Sequence, residues 1–317
     1  MRILNFGSMN LDYFYQVDHF VGPGETLCAR SRTVKPGGKG LNQSIAMARA
    51  GVPVCHAGCL GTGGESLRDL LVRYGADTRF LQPVEEMQGH TVIQVNPEGE
   101  NCILLYGGSN RCITEEQIDR TLASFGPGDW LIMQNEINLP GFIVEKAYDR
   151  KMKIILNPSP FDEKLQEVDF AKLSWILVNE VEAEQMTGTQ DPDKAWAELH
   201  RRWPGLSAVI TLGSRGSIAF AHGAEGTEIV RQEAVKVRAV DTTAAGDTFS
   251  GYFIAGLAEG KKLRECMARA AQAAAISVTR PGAADSIPRS EELDRVLLMT
   301  SEQNARNGYG ERRTDLC

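Results

Sequence analysis

Six short apolar runs recur along the chain: Ile3–Phe6, Val54–Ala57, Trp130–Gln134, Ile154–Asn157, Ile176–Asn179 and Ala208–Leu212. Stretches with helical spacing lie between them. Runs this short and this apolar read as strands buried on both faces. Parallel neighbours need crossover connections, so strand alternating with helix predicts a mostly parallel sheet, Rossmann-like, with helices on both faces. One helix is predicted over Leu41–Ala50, stopping at Gly51, and another starts at Thr114, where Thr114-Glu-Glu-Gln117 has capping-box spacing.

Two segments break that rhythm. Residues 11–36 look extended, and His90–Val95 followed by Pro97-Glu-Gly-Glu100 and Asn101–Tyr106 reads as a β-hairpin. The expected layout is therefore an α/β body of residues 1–10, 37–88 and 110–300, carrying a small β-sheet lid made from 11–36 and 89–109. Residues 301–317 form a polar C-terminal tail that is expected to fray.

Composition excludes several function classes. Lys and Arg number 34 against 41 Asp and Glu, a net charge of −7 with no basic run, which argues against a nucleic-acid surface. No apolar run approaches the roughly 18 residues needed to cross a bilayer. Asp12 interrupts the N-terminal stretch before a signal-peptide core forms, so a cytoplasmic protein is expected. The seven cysteines include no C-x-x-C pair; Cys55-His-Ala-Gly-Cys59 lies in an apolar stretch and reads as buried strand with reduced thiols, not as a metal site.

The chemistry is concentrated in two glycine-containing segments. Pro36-Gly-Gly-Lys-Gly-Leu-Asn42 directly precedes a helix, and its glycines allow close backbone approach to a ligand. Gly40 follows Lys39 where a Walker A loop has Ser or Thr, so this is not a P-loop. The second segment, Asp241-Thr-Thr-Ala-Ala-Gly-Asp-Thr-Phe249, runs small residues into a helix start, where free N–H groups and the helix dipole favour an anion. Asp247, in that first turn, is placed to take a proton from an attacking hydroxyl while the N–H groups hold a transferring phosphoryl. Asp also favours helix starts with no catalytic role, so this residue alone does not decide the matter. Asn10 and Asp12 follow the first strand and suit a polyol, whereas Asn179-Glu-Val-Glu182 and Thr211-Leu-Gly-Ser-Arg-Gly216 follow later strands at the edge where α/β sheets bind ligands.

Taken in order, Asn10-x-Asp12, Gly37-Gly38-Lys39-Gly40-x-Asn42, Asn157-Pro-Ser-Pro, Asn179-x-x-Glu182, Thr211-Leu-Gly-Ser-Arg-Gly and Ala244-Ala-Gly-Asp resemble the ribokinase-like carbohydrate kinases, from about residue 3 to about 298. Gly61-Thr-Gly-Gly64-Glu-Ser-Leu67 departs from the family pattern, being shorter and lacking its usual Asp. The resemblance implies ATP- and Mg²⁺-dependent phosphorylation of a sugar, D-ribose foremost. Asp247 would be the base, with Ala244, Ala245 and Gly246 as the anion hole. Asn10, Asp12, Gly38, Lys39, Asn42 and Glu136 would contact the sugar. Asn179, Thr211, Gly213 and Gly216 would line the nucleotide, together with Gly246, and Glu182 would organise magnesium. It further implies K⁺ held by the Asp241 side chain, Ser286, and the carbonyls of Thr243, Ser277, Arg280 and Gly282. A homodimer through the lid would cover the hairpin's open edge. A kinase for another sugar or a nucleoside, with Tyr13 and Phe14 as a shelf for the base, and a non-catalytic sugar sensor are the competing expectations.

Overall fold

The computed structural model describes residues 1–299, and the predicted tail lies outside the described residues. Strands β1 (Ile3–Phe6), β2 (Asn10–Gln16) and β3 (Ser31–Gly37) lead into helix α1 (Lys39–Arg49). Then follow β4 (Val54–Thr62), α2 (Glu65–Arg73), β5 (Asp77–Met87), β6 (His90–Val95), β7 (Asn101–Tyr106) and α3 (Glu115–Leu122). β8 (Trp130–Gln134), α4 (Pro140–Asp149), β9 (Lys153–Asn157), β10 (Trp175–Asn179), α5 (Glu180–Thr187) and α6 (Pro192–Arg202) continue the alternation. Then come β11 (Ser207–Thr211), β12 (Ser217–Gly223), β13 (Gly226–Gln232), α7 (Ala245–Ala258) and α8 (Leu263–Val278), and residues 290–299 are again helical.

Among the described residues, nine strands form one sheet in the order β13-β12-β11-β10-β9-β8-β1-β4-β5, with antiparallel pairing only at β11–β12–β13. Alternate residues along each strand feed opposite cores. Ile3, Ile132, Ile155 and Leu177 pack with Ile45, Phe253 and Met267 of α1, α7 and α8. Leu4, Leu131, Ile154 and Ile176 pack instead with Ile118, Ile143 and Leu199 of α3, α4 and α6. Two buried faces explain why the strand sequences lack polar alternation. Among the described residues, no helix is long and apolar enough to cross a membrane.

A separate four-stranded sheet, β3-β2-β6-β7, gathers the two segments that broke the rhythm. β2 runs antiparallel to β3 and parallel to β6, so distant segments share one sheet. Its last strand is exposed along its whole length, including Ile103, Leu104, Leu105 and Tyr106.

Some local expectations shift. β4 runs five residues beyond Ala57, through Gly58 and Gly61, because backbone rather than side chains fills the space there: a Cβ on Gly61 would meet the Glu86 carbonyl at 2.6 Å. Thr114 caps α3 by accepting from Gln117 N at 3.2 Å, but the capping box is half-formed, since the Gln117 amide donates to the Gly58 carbonyl at 2.8 Å. β5, β12 and β13 were not anticipated.

Candidate active site

β1, β8, β9, β10 and β11 are consecutive neighbours in the sheet, and their carboxyl ends deliver Ser8, Glu136, Asn157, Asn179 and Thr211 to one edge. The order reverses at β1, whose later partners β4 and β8 lie on opposite sides, and such a switch point opens a crevice for ligands. The start of α7 stands over this crevice: Lys39, Asn157, Asn179, Glu182, Thr211 and Asp247 line one cavity of about 170 Å³ with Ala244, Ala245 and Gly246.

At the β1 end, close backbone packing sets the geometry. A Cβ on Gly40 would lie 2.3 Å from Ser8 N and 2.6 Å from Gly7 C, so the first turn of α1 can press against the segment leaving β1 only with glycine there. Gly37 likewise leaves room for the Asp12 carboxylate, which a Cβ would meet at 1.9 Å. Asp12 accepts from Thr91 Oγ1 at 2.6 Å, and burial raises its pKa above the usual carboxylate value despite that bond. Asn10 Oδ1 accepts from Asn110 Nδ2 at 2.7 Å, which turns the Asn10 amide nitrogen outward for a ligand oxygen. Glu136 uses Oε2 alone to accept from Ser8 Oγ and from Lys39 N, leaving Oε1 to a hydroxyl. Burial raises the Glu136 pKa, with the Lys39 ammonium pulling against it. For Lys39 burial pulls downward, but Asp247, Glu136 and Glu182 outweigh it and hold the ammonium above its ordinary value.

Ala244 takes the left-handed conformation at φ 58° and ends the turn from which α7 departs. An L-residue there carries strain of about 1–2 kcal/mol. Ala245 N turns back onto the Thr242 carbonyl at 3.2 Å, whereas the N–H groups of Ala244, Gly246 and Asp247 have no partner within the protein. Of the expected trio, Ala244 and Gly246 keep free N–H groups, joined by that of Asp247, while the Ala245 N–H closes the turn. Asp247 accepts from Asn42 Nδ2 on Oδ2 and from Gln43 Nε2 on Oδ1, both at 3.0 Å. Asn42 Oδ1 is buried with no protein partner.

Farther along the edge, Asn179 and Glu182 form a complete capping box on α5, with bonds of 2.8 and 3.0 Å. The cap occupies Asn179 Oδ1 and Glu182 Oε2, leaving Asn179 Nδ2 and Glu182 Oε1 for the cavity. Thr211, Gly213 and Gly216 border a second, mostly apolar cavity of about 410 Å³ that shares Thr242, Ala245, Gly246 and Phe249 with the first. Val235, Val237, Ala274 and Val278 complete its walls, and the sequence reading missed them. The alanine stripe of α8 was the available signal: small residues on one helix face leave room for a flat ligand.

Beside the start of α7, the Asp241 carboxylate accepts from Thr243 N and Gly282 N, each at 2.9 Å, and ties two loops together. These bonds, beneath the opposing effect of burial, hold the Asp241 pKa below its usual value. Asp241 N also reaches the Val278 carbonyl at 3.2 Å, so the α8 end, carrying Ser277, Arg280, Gly282 and nearby Ser286, abuts the segment with Thr243.

A crevice that is polar at one end, apolar at the other, and provided with free N–H donors between them is built to move a phosphoryl group from a nucleotide to a hydroxyl; this is a phosphotransferase of the sugar-kinase class. The pfkB family carbohydrate kinase model matches residues 2–290, and the chain belongs to that family. It is 37% identical to the ribokinase of Haemophilus influenzae over 90% of this chain and 95% of that one. The ribokinase of Cryptococcus neoformans in complex with ADP superposes with a TM-score of 0.82 at 32% identity, covering 93% of this chain and 99% of the other. Arabidopsis thaliana ribokinase complexed with ribose and ATP gives 0.82 at 26% identity, covering 93% and 98%.

Proposed function

We propose that this chain phosphorylates D-ribose at its 5-hydroxyl with ATP. The observation that carries the reading is Asp247, fixed by two carboxamides in the first cavity, with a free N–H of its own and next to the free N–H of Gly246, which lines both cavities. Asn10 Nδ2, Asp12, Gly38, Asn42 Oδ1 and Glu136 Oε1 hold the sugar hydroxyls. Asp247 takes the proton of the attacking hydroxyl as its oxygen bonds to the γ-phosphorus, and the bond to the ADP oxygen breaks. The N–H groups and Lys39 stabilise the charge on the phosphoryl oxygens in flight. Asn179, Thr211, Gly213 and Gly216 hold the nucleotide.

Magnesium, when bound, neutralises the polyphosphate, and Glu182 Oε1 supplies a hard oxygen for its hydration shell. Potassium fits the Asp241 loops, where a carboxylate, the Ser286 hydroxyl and the carbonyls of Thr243, Ser277, Arg280 and Gly282 offer only oxygen. The similarity to ribokinases, one of them complexed with ribose and ATP, supports this reading. A nucleoside is disfavoured because the rings available as a shelf are engaged in the lid. Arg32 lies over Tyr13 at 4.8 Å and Lys35 over Phe14 at 4.9 Å. The presence of Asp247 with the complete Ala244-Ala245-Gly246 segment likewise argues against a silent sensor.

A coupled ADP-release assay over pentoses, hexoses and nucleosides tests the reading. D-Ribose should exceed 2-deoxyribose and fructose in kcat/KM by roughly 10²-fold or more, because a missing hydroxyl leaves buried polar groups unpaired. A best substrate without the 2-hydroxyl overturns ribose; no turnover with any sugar overturns the kinase. The exposed β7 edge and its apolar residues are proposed to be covered by the same sheet of a second copy. Light scattering should give a dimer at micromolar concentration, and a fully active monomer would refute that.

A further inference from the structure

We infer that Gln43 is a positioning residue for Asp247, held in place by a row of carboxamides that runs from Asn157 at the cavity wall back to Asn5 beneath it. The inference rests on Asp247 acting as the base. Gln43 is fully buried and lines neither cavity. Its Nε2 donates to Asp247 Oδ1 at 3.0 Å and to Asn157 Oδ1 at 3.2 Å, while its Oε1 accepts from Gln134 Nε2 at 2.7 Å. Both amide hydrogens and the carbonyl are thereby used.

The direction of every amide in the row is fixed from its two ends. Asn157 Nδ2 donates to the Leu177 carbonyl at 2.8 Å. A backbone carbonyl only accepts, so the Asn157 oxygen must face Gln43. At the far end Asn5 Nδ2 donates to the Gly40 carbonyl at 2.8 Å, which turns Asn5 Oδ1 toward Gln134 Nε2 at 3.0 Å. Gln134 can then present only N–H to the Gln43 oxygen. Gln43 has one orientation left, with its nitrogen on Asp247.

Asn42 holds the other carboxylate oxygen, so Asp247 cannot turn about its Cβ–Cγ bond without breaking a hydrogen bond. Asn42 is assigned to the sugar as well, whereas Gln43 acts on the base alone. Misplacing a reacting group by about 1 Å lowers rate by about 10²-fold.

The test is a double-mutant cycle on the full chain. Gln43→Met fills the volume without an N–H, and Gln43→Asn keeps a carboxamide one methylene too short for Asp247. Each is expected to lower kcat roughly 10- to 100-fold while KM for sugar and ATP stays within about threefold. In the Asp247→Asn background each should change kcat by less than about twofold, since the group it positions is already gone. If Gln43→Met does not fold, Gln43→Asn carries the cycle. Multiplying effects, or an unchanged kcat with a lowered Tm, overturn the inference and leave Asp247 as base. Full turnover in Asp247→Asn alone overturns the base assignment instead.

Discussion

Asp247→Asn is expected to bind sugar and ATP yet turn over about 10²–10⁴-fold more slowly, the range for loss of a general base. The substitution preserves volume but replaces one acceptor by an NH₂ group. Both carboxylate oxygens accept an amide N–H, from Asn42 and Gln43, so the new NH₂ must face a donor on one side. That mismatch costs about 1–3 kcal/mol of stability. Turnover is therefore to be compared well below the variant's Tm, with sugar and nucleotide affinity measured by calorimetry. Tight binding with a slow single-turnover rate is the expected result, and wild-type turnover in the folded variant removes Asp247 from the mechanism.

Replacing potassium by a bulky organic cation at constant ionic strength should lower activity, by up to about 10²-fold, the loss seen when a preorganised oxyanion donor is removed. The reason lies in what Asp241 connects. Its two oxygens hold the turn that leads to Ala244 and the Gly282 loop after α8. A potassium ion among these oxygens would fix the left-handed Ala244 turn and, through it, the direction of the N–H groups at the α7 start. Asp241→Ala should be slow in both salts and should lose the potassium response. Equal wild-type activity in the two salts would leave the loops as protein structure without an ion.

The sheet was legible because its central strands are buried on both faces and carry little besides apolar residues; Ile3–Phe6 and Trp130–Gln134 match their observed bounds. β5 was not, because Pro83 and the charged Glu85 and Glu86 lie within an edge strand that need satisfy only one neighbour. β12 and β13 escaped because Ser217–Gln232 mixes polar residues into an antiparallel edge hairpin. At the site, glycine-rich turns are readable since few other residues permit such backbone approach. Asn5, Gln43, Gln134 and Asn110 are not: a carboxamide inside an apolar run has no periodicity, and its partners are up to 129 residues away. Asn179 and Glu182 show the reverse ambiguity, because one spacing encodes both a helix cap and a pair of groups facing the cavity.

The placement of β1 also bears on how the chain is made. This first strand sits between β4 and β8, and Arg2 bonds to Asp129 across 127 residues of sequence. At about 5–20 residues per second, roughly 6–25 s separate the emergence of β1 from that of its second partner. Through that interval Ile3, Leu4 and Phe6 belong to a strand with one open edge, the condition under which nascent chains associate or engage chaperones. Yield during synthesis should accordingly respond to the pace of translation between β4 and β8, a sensitivity set by strand order and independent of the finished protein's stability.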